Sequence, residues 1–298
     1  MTRTDVTFAS GTETCAAWLY EPQTASSAPD PIIVMAHGLG GVKEMRLDAF
    51  AERFSAAGYR CLVFDYRHFG DSSGEPRQLL DVGRQLADWR AAVAFARSLE
   101  TVDPERVVIW GTSFSGGHVI HTAARDQRLA AVISQCPFTD GLASSLAIPP
   151  LTSAKVTALA LRDRLGALRG REPIMMPTYG PPGSTALMTS ADSAAGVEAI
   201  TPQGQGIRSD VAARFALDII RYFPGRDART ITCPAHFAVC EVDTVAPSRA
   251  TLRHVAKAPH GEVHLQRGGH FDIYVGDDFE SNVAQQLAFL TRHVPVSA

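Results

Sequence analysis

The run Val107-Val108-Ile109-Trp110 stops at Gly111, and Thr112-Ser113-Phe114-Ser115-Gly116-Gly117 follows. An apolar, β-branched run that meets a glycine and passes through small residues into helix-compatible sequence reads as a strand, a very tight turn and a helix. Such a turn is strained, so the residues around its apex must be small enough for strand and helix to approach. The apex residue is exposed by that strain, and the first helical N–H groups are aimed at whatever it attacks. Here the apex is Ser113. The usual spacing is Gly-x-Ser-x-Gly, and Ser115 stands in the fifth position. Ser115 is also a rival apex, with Ser113 before it and Gly117 after it. The end of the strand run at Trp110 favours Ser113.

A nucleophile on a strand–turn–helix unit implies a sheet around it, and the chain supplies one. Asp5 to Ala9 and Cys15 to Tyr20 alternate about a Gly11-Thr12 turn and read as an antiparallel hairpin. A polar loop with Pro22, Pro29 and Pro31 leads into Ile32–Ala36, a continuous apolar run typical of a strand buried on both faces. A helical pattern begins near Glu44 and closes at Gly58. Cys61–Phe64 is the next strand, Asp81–Ser98 the next helix, then the 107–110 strand, a helix near 116–125 and the strand 131–134. Strands alternating with amphipathic helices predict an α/β fold, a mostly parallel central sheet with helices on both faces.

From about Asp140 to Gly225 this rhythm breaks. Ala143–Leu168 reads as helical, Arg171–Gly206 as irregular or briefly helical, and Ile207–Phe223 as helical again. The expected organisation is a core of residues 1–139 and 226–298 carrying an inserted, partly helical cap of 140–225. The core resumes with a strand at 235–240, a helix at 247–256, a strand at 263–265 and a helix at 279–292.

A serine hydroxyl is a poor nucleophile near neutral pH and needs a base, which in turn needs an orienting group. In open α/β sheets such groups sit on loops at the carboxyl ends of strands. Among ten histidines, His270 in Gly268-Gly269-His270-Phe271-Asp272 follows the last strand and precedes the last helix. Asp243, between the 235–240 strand and Pro247, is the acid; Glu241 and Asp140 are its rivals, and a turn or helix-capping aspartate is the plain alternative. The chain order Ser113, Asp243, His270 is that of an α/β-hydrolase triad. The backbone N–H groups of Phe114 and of Leu39, in His37-Gly38-Leu39-Gly40-Gly41, are the expected oxyanion donors.

These stretches, with Asp65-Tyr66-Arg67-His68-Phe69-Gly70-Asp71-Ser72-Ser73-Gly74, resemble the α/β-hydrolase superfamily of serine hydrolases over nearly the whole chain. The likeness is to its dienelactone-hydrolase-like and acyl-peptidase-like branches, where esterases, thioesterases and polyketide acyltransferases occur. Dienelactone hydrolase uses a cysteine where Ser113 stands here. The resemblance implies ester cleavage through an acyl-enzyme, with thioesterase or acyltransferase, small-peptide peptidase and non-catalytic ligand binder as alternatives. The 65–77 loop is expected to brace the sheet.

Substrate selectivity is expected in the cap, with Met175, Met176, Tyr179, Leu187 and Met188 as candidate lining residues. The same residues could equally anchor the cap to the core. No metal or organic cofactor is implied, since neither a His-Glu-x-x-His run nor a dinucleotide loop is present. The partner expected is a small acyl substrate. A net charge of −3 without basic clusters gives no reason to expect nucleic acid. No run reaches the ~18 apolar residues of a membrane span, so no membrane is expected either. Oligomeric state, a homodimer included, has no residue to argue it. Five cysteines without a Cys-x-x-Cys pair, most of them in apolar runs, read as buried free thiols in a reducing, cytoplasmic setting.

Overall fold

A computed structural model describes residues 1–22 and 29–296; the polar loop after Tyr20 falls largely on residues 23–28, outside the described residues. In chain order the elements are β1 (Thr2–Ser10), β2 (Glu13–Glu21), β3 (Asp30–Ala36), α1 (Leu47–Ala56), β4 (Arg60–Phe64) and α2 (Val82–Ser98). Next come β5 (Val102–Thr112), α3 (Phe114–Ala123), β6 (Ala131–Gln135), α4 (Gly141–Leu146), α5 (Pro150–Ala167) and β7 (Met175–Pro177). The chain ends with α6 (Ser193–Ile200), β8 (Asp210–Ala212), α7 (Ala216–Ile219), β9 (Ala235–Cys240), α8 (Ser248–Val255), β10 (Gly261–Gln266) and α9 (Gly276–His293).

Eight strands form one sheet in the order β1-β2-β4-β3-β5-β6-β9-β10. The β1–β2 and β2–β4 pairs are antiparallel, and every other pair is parallel. β3 and β4 are buried along their whole length: their apolar runs Ile32–Ala36 and Cys61–Phe64 suit strands covered by helices on both faces, and the buried Asp30 and Arg60 at their starts pair with each other. One face packs Phe64, Trp89, Ile109, Val119 and Phe237 into a core. The other packs Phe50, Trp110, Ile133, Phe279 and Leu290. The expected α/β architecture is therefore the observed one.

The strands that carry the sheet fall where the apolar runs put them, while helix starts move by a few residues. α1 begins at Leu47 and α3 at Phe114, immediately after the serine. The 140–225 block departs more. The single helix read across Ala143–Leu168 is two, α4 and α5, separated at Pro149-Pro150, where Pro150 opens α5. The helix expected at 207–223 is instead β8, a short 3₁₀ turn at Ala213–Phe215 and the four-residue α7. β8 pairs with β7, and Ala212 donates to the Gln78 carbonyl, so tertiary partners satisfy the backbone that a helix would have satisfied internally. Among the described residues, no helix is long and apolar enough to cross a membrane.

Candidate active site

Ser113 sits between β5 and α3 with φ 56° and ψ −119°, a backbone conformation costly for a residue with a Cβ. Its neighbours show why the local sequence is so small. A Cβ on Gly111 would lie 2.3 Å from the Ser115 carbonyl oxygen, and one on Gly117 would lie 2.3 Å from that of Phe138. Only glycine lets α3 come this close to β5 and β6. The Ser113 N–H is held by the Gln135 carbonyl at 2.9 Å, which ties the turn to the end of β6.

The Ser113 hydroxyl lies 2.9 Å from Nε2 of His270, and Nδ1 of His270 lies 2.7 Å from Oδ2 of Asp243. The three residues come from the ends of β5, β9 and β10, so the sheet's parallel strands deliver them to one edge. Asp243 also performs the turn role weighed against it: Oδ1 accepts the N–H groups of Val245 and Ala246 at 2.8 and 2.6 Å. One oxygen fixes the turn and the other faces the imidazole. Both side chains are almost fully buried. Burial works against a charge on His270, but the Asp243 carboxylate outweighs it, aided by the Cys136 sulfur, and holds the imidazole well above the usual histidine value.

The rivals are occupied elsewhere. The Ser115 hydroxyl is fully buried, 2.7 Å from the Tyr66 hydroxyl, which also accepts from Trp89. Asp140 caps α4 through the Ala143 N–H and faces Arg253 and His254. Glu241 is exposed. His37 is buried beneath the Leu39 loop, and burial pushes it down to about 4. His118, at about 3 for the same reason, spans Gln85 and Tyr222 inside the core.

The Leu39 loop reaches Ser113 directly. A Cβ on Gly38 would stand 2.9 Å from the Ser113 Cβ, so glycine is required for the loop to pass there. The next N–H, that of Leu39, lies in this stretch. Phe114 begins α3, whose first N–H groups have no acceptor within the helix. The 65–77 loop holds the far end of the Leu39 stretch. Asp65 accepts the Lys43 N–H at 2.8 Å, and the buried Lys43 ammonium lies 2.8 Å from Asp65, 2.5 Å from Asp71 and 2.9 Å from Glu44. These three carboxylates are close enough together to suggest a cation site, but Lys43 already stands among them.

Behind His270 lies a network that the sequence did not announce. The hydroxyls of Thr112 and Tyr274 are hydrogen-bonded, and the Cys136 sulfur lies 3.6 Å from each and 4.0 Å from Nε2 of His270. Thr112 is the unspecified second position of the Gly-x-Ser motif, and Tyr274 follows His270 by four residues. Proximity in the chain to Ser113 and His270 was the only available signal. All five cysteines are buried and free.

Two cavities meet at Ser113. One, of about 100 Å³, is walled by His270, Phe271, Tyr274, Tyr179, Val197 and Arg208. The other, of about 810 Å³, is walled by Phe114, Phe138, Ile148, Val156, Leu187 and Ile219. Leu39 and Met188 border both. Of the five residues suggested for substrate contact, Tyr179, Leu187 and Met188 line cavities. Met175 and Met176 line neither; they form β7, where Met176 is completely buried. Phe138, Val156 and the Val197–Arg208 wall were not foreseen, because no motif marks them: Phe138 lies in the loop after β6 and Val156 on the inner face of α5.

A sequence profile of the alpha/beta hydrolase fold family matches residues 31–277. The chain is 58% identical to the quorum-quenching protein AidA of Acinetobacter baumannii over 98% of its own length and 95% of that protein. It is 30% identical to the polyketide transferase ATR5 of Stachybotrys chlorohalonatus, over 98% of each chain. Among solved structures, the alpha/beta hydrolase GrgF from Penicillium sp. superposes with a TM-score of 0.84 at 27% identity, covering 98% of this chain and 99% of that one.

Proposed function

The chain belongs to the alpha/beta hydrolase fold family, and from that premise we propose that it is a serine hydrolase cleaving a carboxylic ester or related acyl bond. The observation that carries this reading is the continuous hydrogen-bonded line from Asp243 through His270 to a Ser113 held in a strained, glycine-flanked turn. In the proposed mechanism His270 takes the Ser113 proton as the oxygen attacks the acyl carbon. Asp243 fixes the tautomer and stabilises the imidazolium. The N–H groups of Leu39 and Phe114 receive the oxyanion, and His270 then hands its proton to the leaving group. Water repeats the sequence and frees the acyl chain.

The proton path assigns the two cavities. A leaving group must lie within reach of His270, and His270 borders only the small one. The compact leaving group therefore occupies the 100 Å³ space, and the acyl group occupies the 810 Å³ chamber. Most of that chamber's wall comes from residues 140–225, which we read as a cap on a core of 1–139 and 226–298. At 58% identity over nearly all of both chains, the quorum-quenching role of the Acinetobacter relative is proposed for this chain as well. The kinship to ATR5 supports a second reading, in which a nucleophile other than water accepts the acyl group.

A panel of acyl esters, thioesters and lactones of graded chain length is the test. The proposal expects turnover that grows with acyl length and falls with leaving-group bulk. Preincubation with the wild type, but not with Ser113→Ala, should silence a signal-dependent reporter culture. If no member of the panel is turned over, the hydrolase reading is lost.

A further inference from the structure

Half of the large apolar side chains that stand exposed among the described residues fall in one stretch: Leu142, Leu146, Leu151, Leu161, Leu165 and Leu168. Scattered exposed leucines need no explanation, but a concentrated patch does. Leu146 and Leu168 are 76% and 79% exposed, so they are not merely the edges of core residues. On α5 the pattern is regular. Leu151, Ala154, Ala158, Leu161 and Leu165, with Leu168 just beyond, recur at alternating steps of three and four and are all exposed. They form one outward stripe. The buried stripe that holds α5 to the protein is a different one: Thr152, Val156, Ala160 and Asp163.

The charge around this stripe is mostly positive; the half-exposed Asp218 of α7 meets it only through its pair with Arg164. Lys155, Arg162 and Arg169 border it at intervals of seven, and Arg164 and Arg171 lie on the other side, all of them exposed. The one acid between residues 141 and 171, Asp163, is buried and tied to Arg214. This is a local cationic surface on a chain whose net charge is −3. The patch also touches the chamber. A groove of about 660 Å³ runs between Leu146 and Ile148 on one side and Ala154, Ala158 and Leu161 on the other. Ile148, Ser153 and Leu161 border both groove and chamber.

We propose that this leucine-and-arginine face docks on an anionic lipid bilayer, and that apolar acyl substrates enter the chamber from there. The docking stands on the exposed face alone; the entry of substrate rests on the hydrolase reading above. Leucines that insert at the headgroup boundary, flanked by arginines that meet anionic headgroups, are the two elements of interfacial binding. A second copy of the chain is the other natural occupant of an apolar helix face. Pairing α5 with α5 would, however, set the Lys155, Arg162 and Arg169 border against cations of the partner copy, and like charges across an interface oppose association. An anionic surface relieves that repulsion instead. The lack of a spanning helix has no bearing on contact of this kind, in which the helix lies on the surface.

The test is co-sedimentation of the full chain with phosphatidylcholine vesicles, with and without one third phosphatidylglycerol. Binding is expected to be ~10-fold or more tighter to the anionic vesicles and to weaken as salt rises. Leu165→Asp/Leu168→Asp should lose binding by ~10-fold or more, and Arg162→Glu/Arg169→Glu should lose the preference for anionic lipid. None of these four residues lines either cavity at Ser113, so hydrolysis of a short water-soluble ester and the thermal unfolding midpoint should stay at wild-type values. Equal binding by wild type and both variants overturns the proposal. So does a wild-type mass of two chains in solution that the leucine pair returns to one without any vesicle binding. Vesicle binding with no ester turnover would leave the docking intact and remove the hydrolase reading.

Discussion

The carboxyl edge of the sheet and the 140–225 block meet at the same serine, yet they are built by different rules. At the sheet edge, parallel strands end together, so side chains from the ends of β5, β9 and β10 converge within hydrogen-bond distance. Each position there is over-determined: Ser113 by the glycines around it, Asp243 by two N–H groups, His270 by Asp243 and the Cys136–Tyr274 network. The 140–225 block has one long helix, α5, and otherwise short strands and helices, held by contacts such as Ala212 to Gln78 and the Arg214–Asp163 pair. On the proposed reading, chemistry is fixed by backbone geometry, and selectivity is left to side chains that can change without disturbing it.

This contrast is sharpest in what substitutions should do. Ser113→Ala is expected to lower kcat by ~10⁴-fold or more on every substrate, as removal of a triad member does; steady-state kinetics over the ester panel would show a substrate-dependent loss if the two regions were not separable. Asp243→Asn should cost ~10³–10⁴ in kcat through the wrong tautomer. It should also move the pH profile. His270 must be neutral to act as base, and its raised pKa places the acidic limb of kcat/KM above the ordinary histidine range. Removing the carboxylate that raises it should shift that limb to lower pH. A limb that stays in place in a titration of kcat/KM would mean that another group sets it.

Smaller effects follow further from the reacting atoms. Gly38→Ala drives a methyl group to within 2.9 Å of the Ser113 Cβ and displaces the Leu39 N–H; a loss of ~10²-fold in kcat with little change in KM is expected. Met188→Ala, on the border of both cavities, should redistribute kcat/KM among acyl lengths by ~10-fold while leaving the pH profile unchanged. Ser115→Ala should leave kcat within a small factor of wild type and cost ~1 kcal/mol of stability, since it removes only the buried bond to Tyr66. Thermal unfolding alongside the kinetics separates those two outcomes.

What the chain disclosed in advance follows the same division. The uninterrupted apolar runs at 32–36, 61–64 and 107–110 could only be strands covered on both faces, and the loops after strands had to carry the polar work. The choice of Ser113 over Ser115 rested on where one strand run ends, and the two hydroxyls do point to different partners. The double use of Asp243 was not legible, because a turn aspartate and an imidazole partner look identical in sequence. Nor were Thr112, Cys136 and Tyr274, which meet only through the folded sheet. Ile207–Phe223 misled for a related reason. Val211 and Phe215 are spaced as on a helix, but pairing with Met175 and Met176 in β7 draws Val211 and Ala212 into a strand and leaves Phe215 in the 3₁₀ turn that follows.

The central claim is that Ser113 is the nucleophile, activated by His270. Labelling the intact protein with a fluorophosphonate and mapping the modified peptide by mass spectrometry tests it most directly. The account predicts a single adduct on Ser113, abolished in Ser113→Ala and strongly slowed in a His270→Ala variant. An adduct on Ser115, or labelling of Ser113 at an undiminished rate without His270, would contradict it.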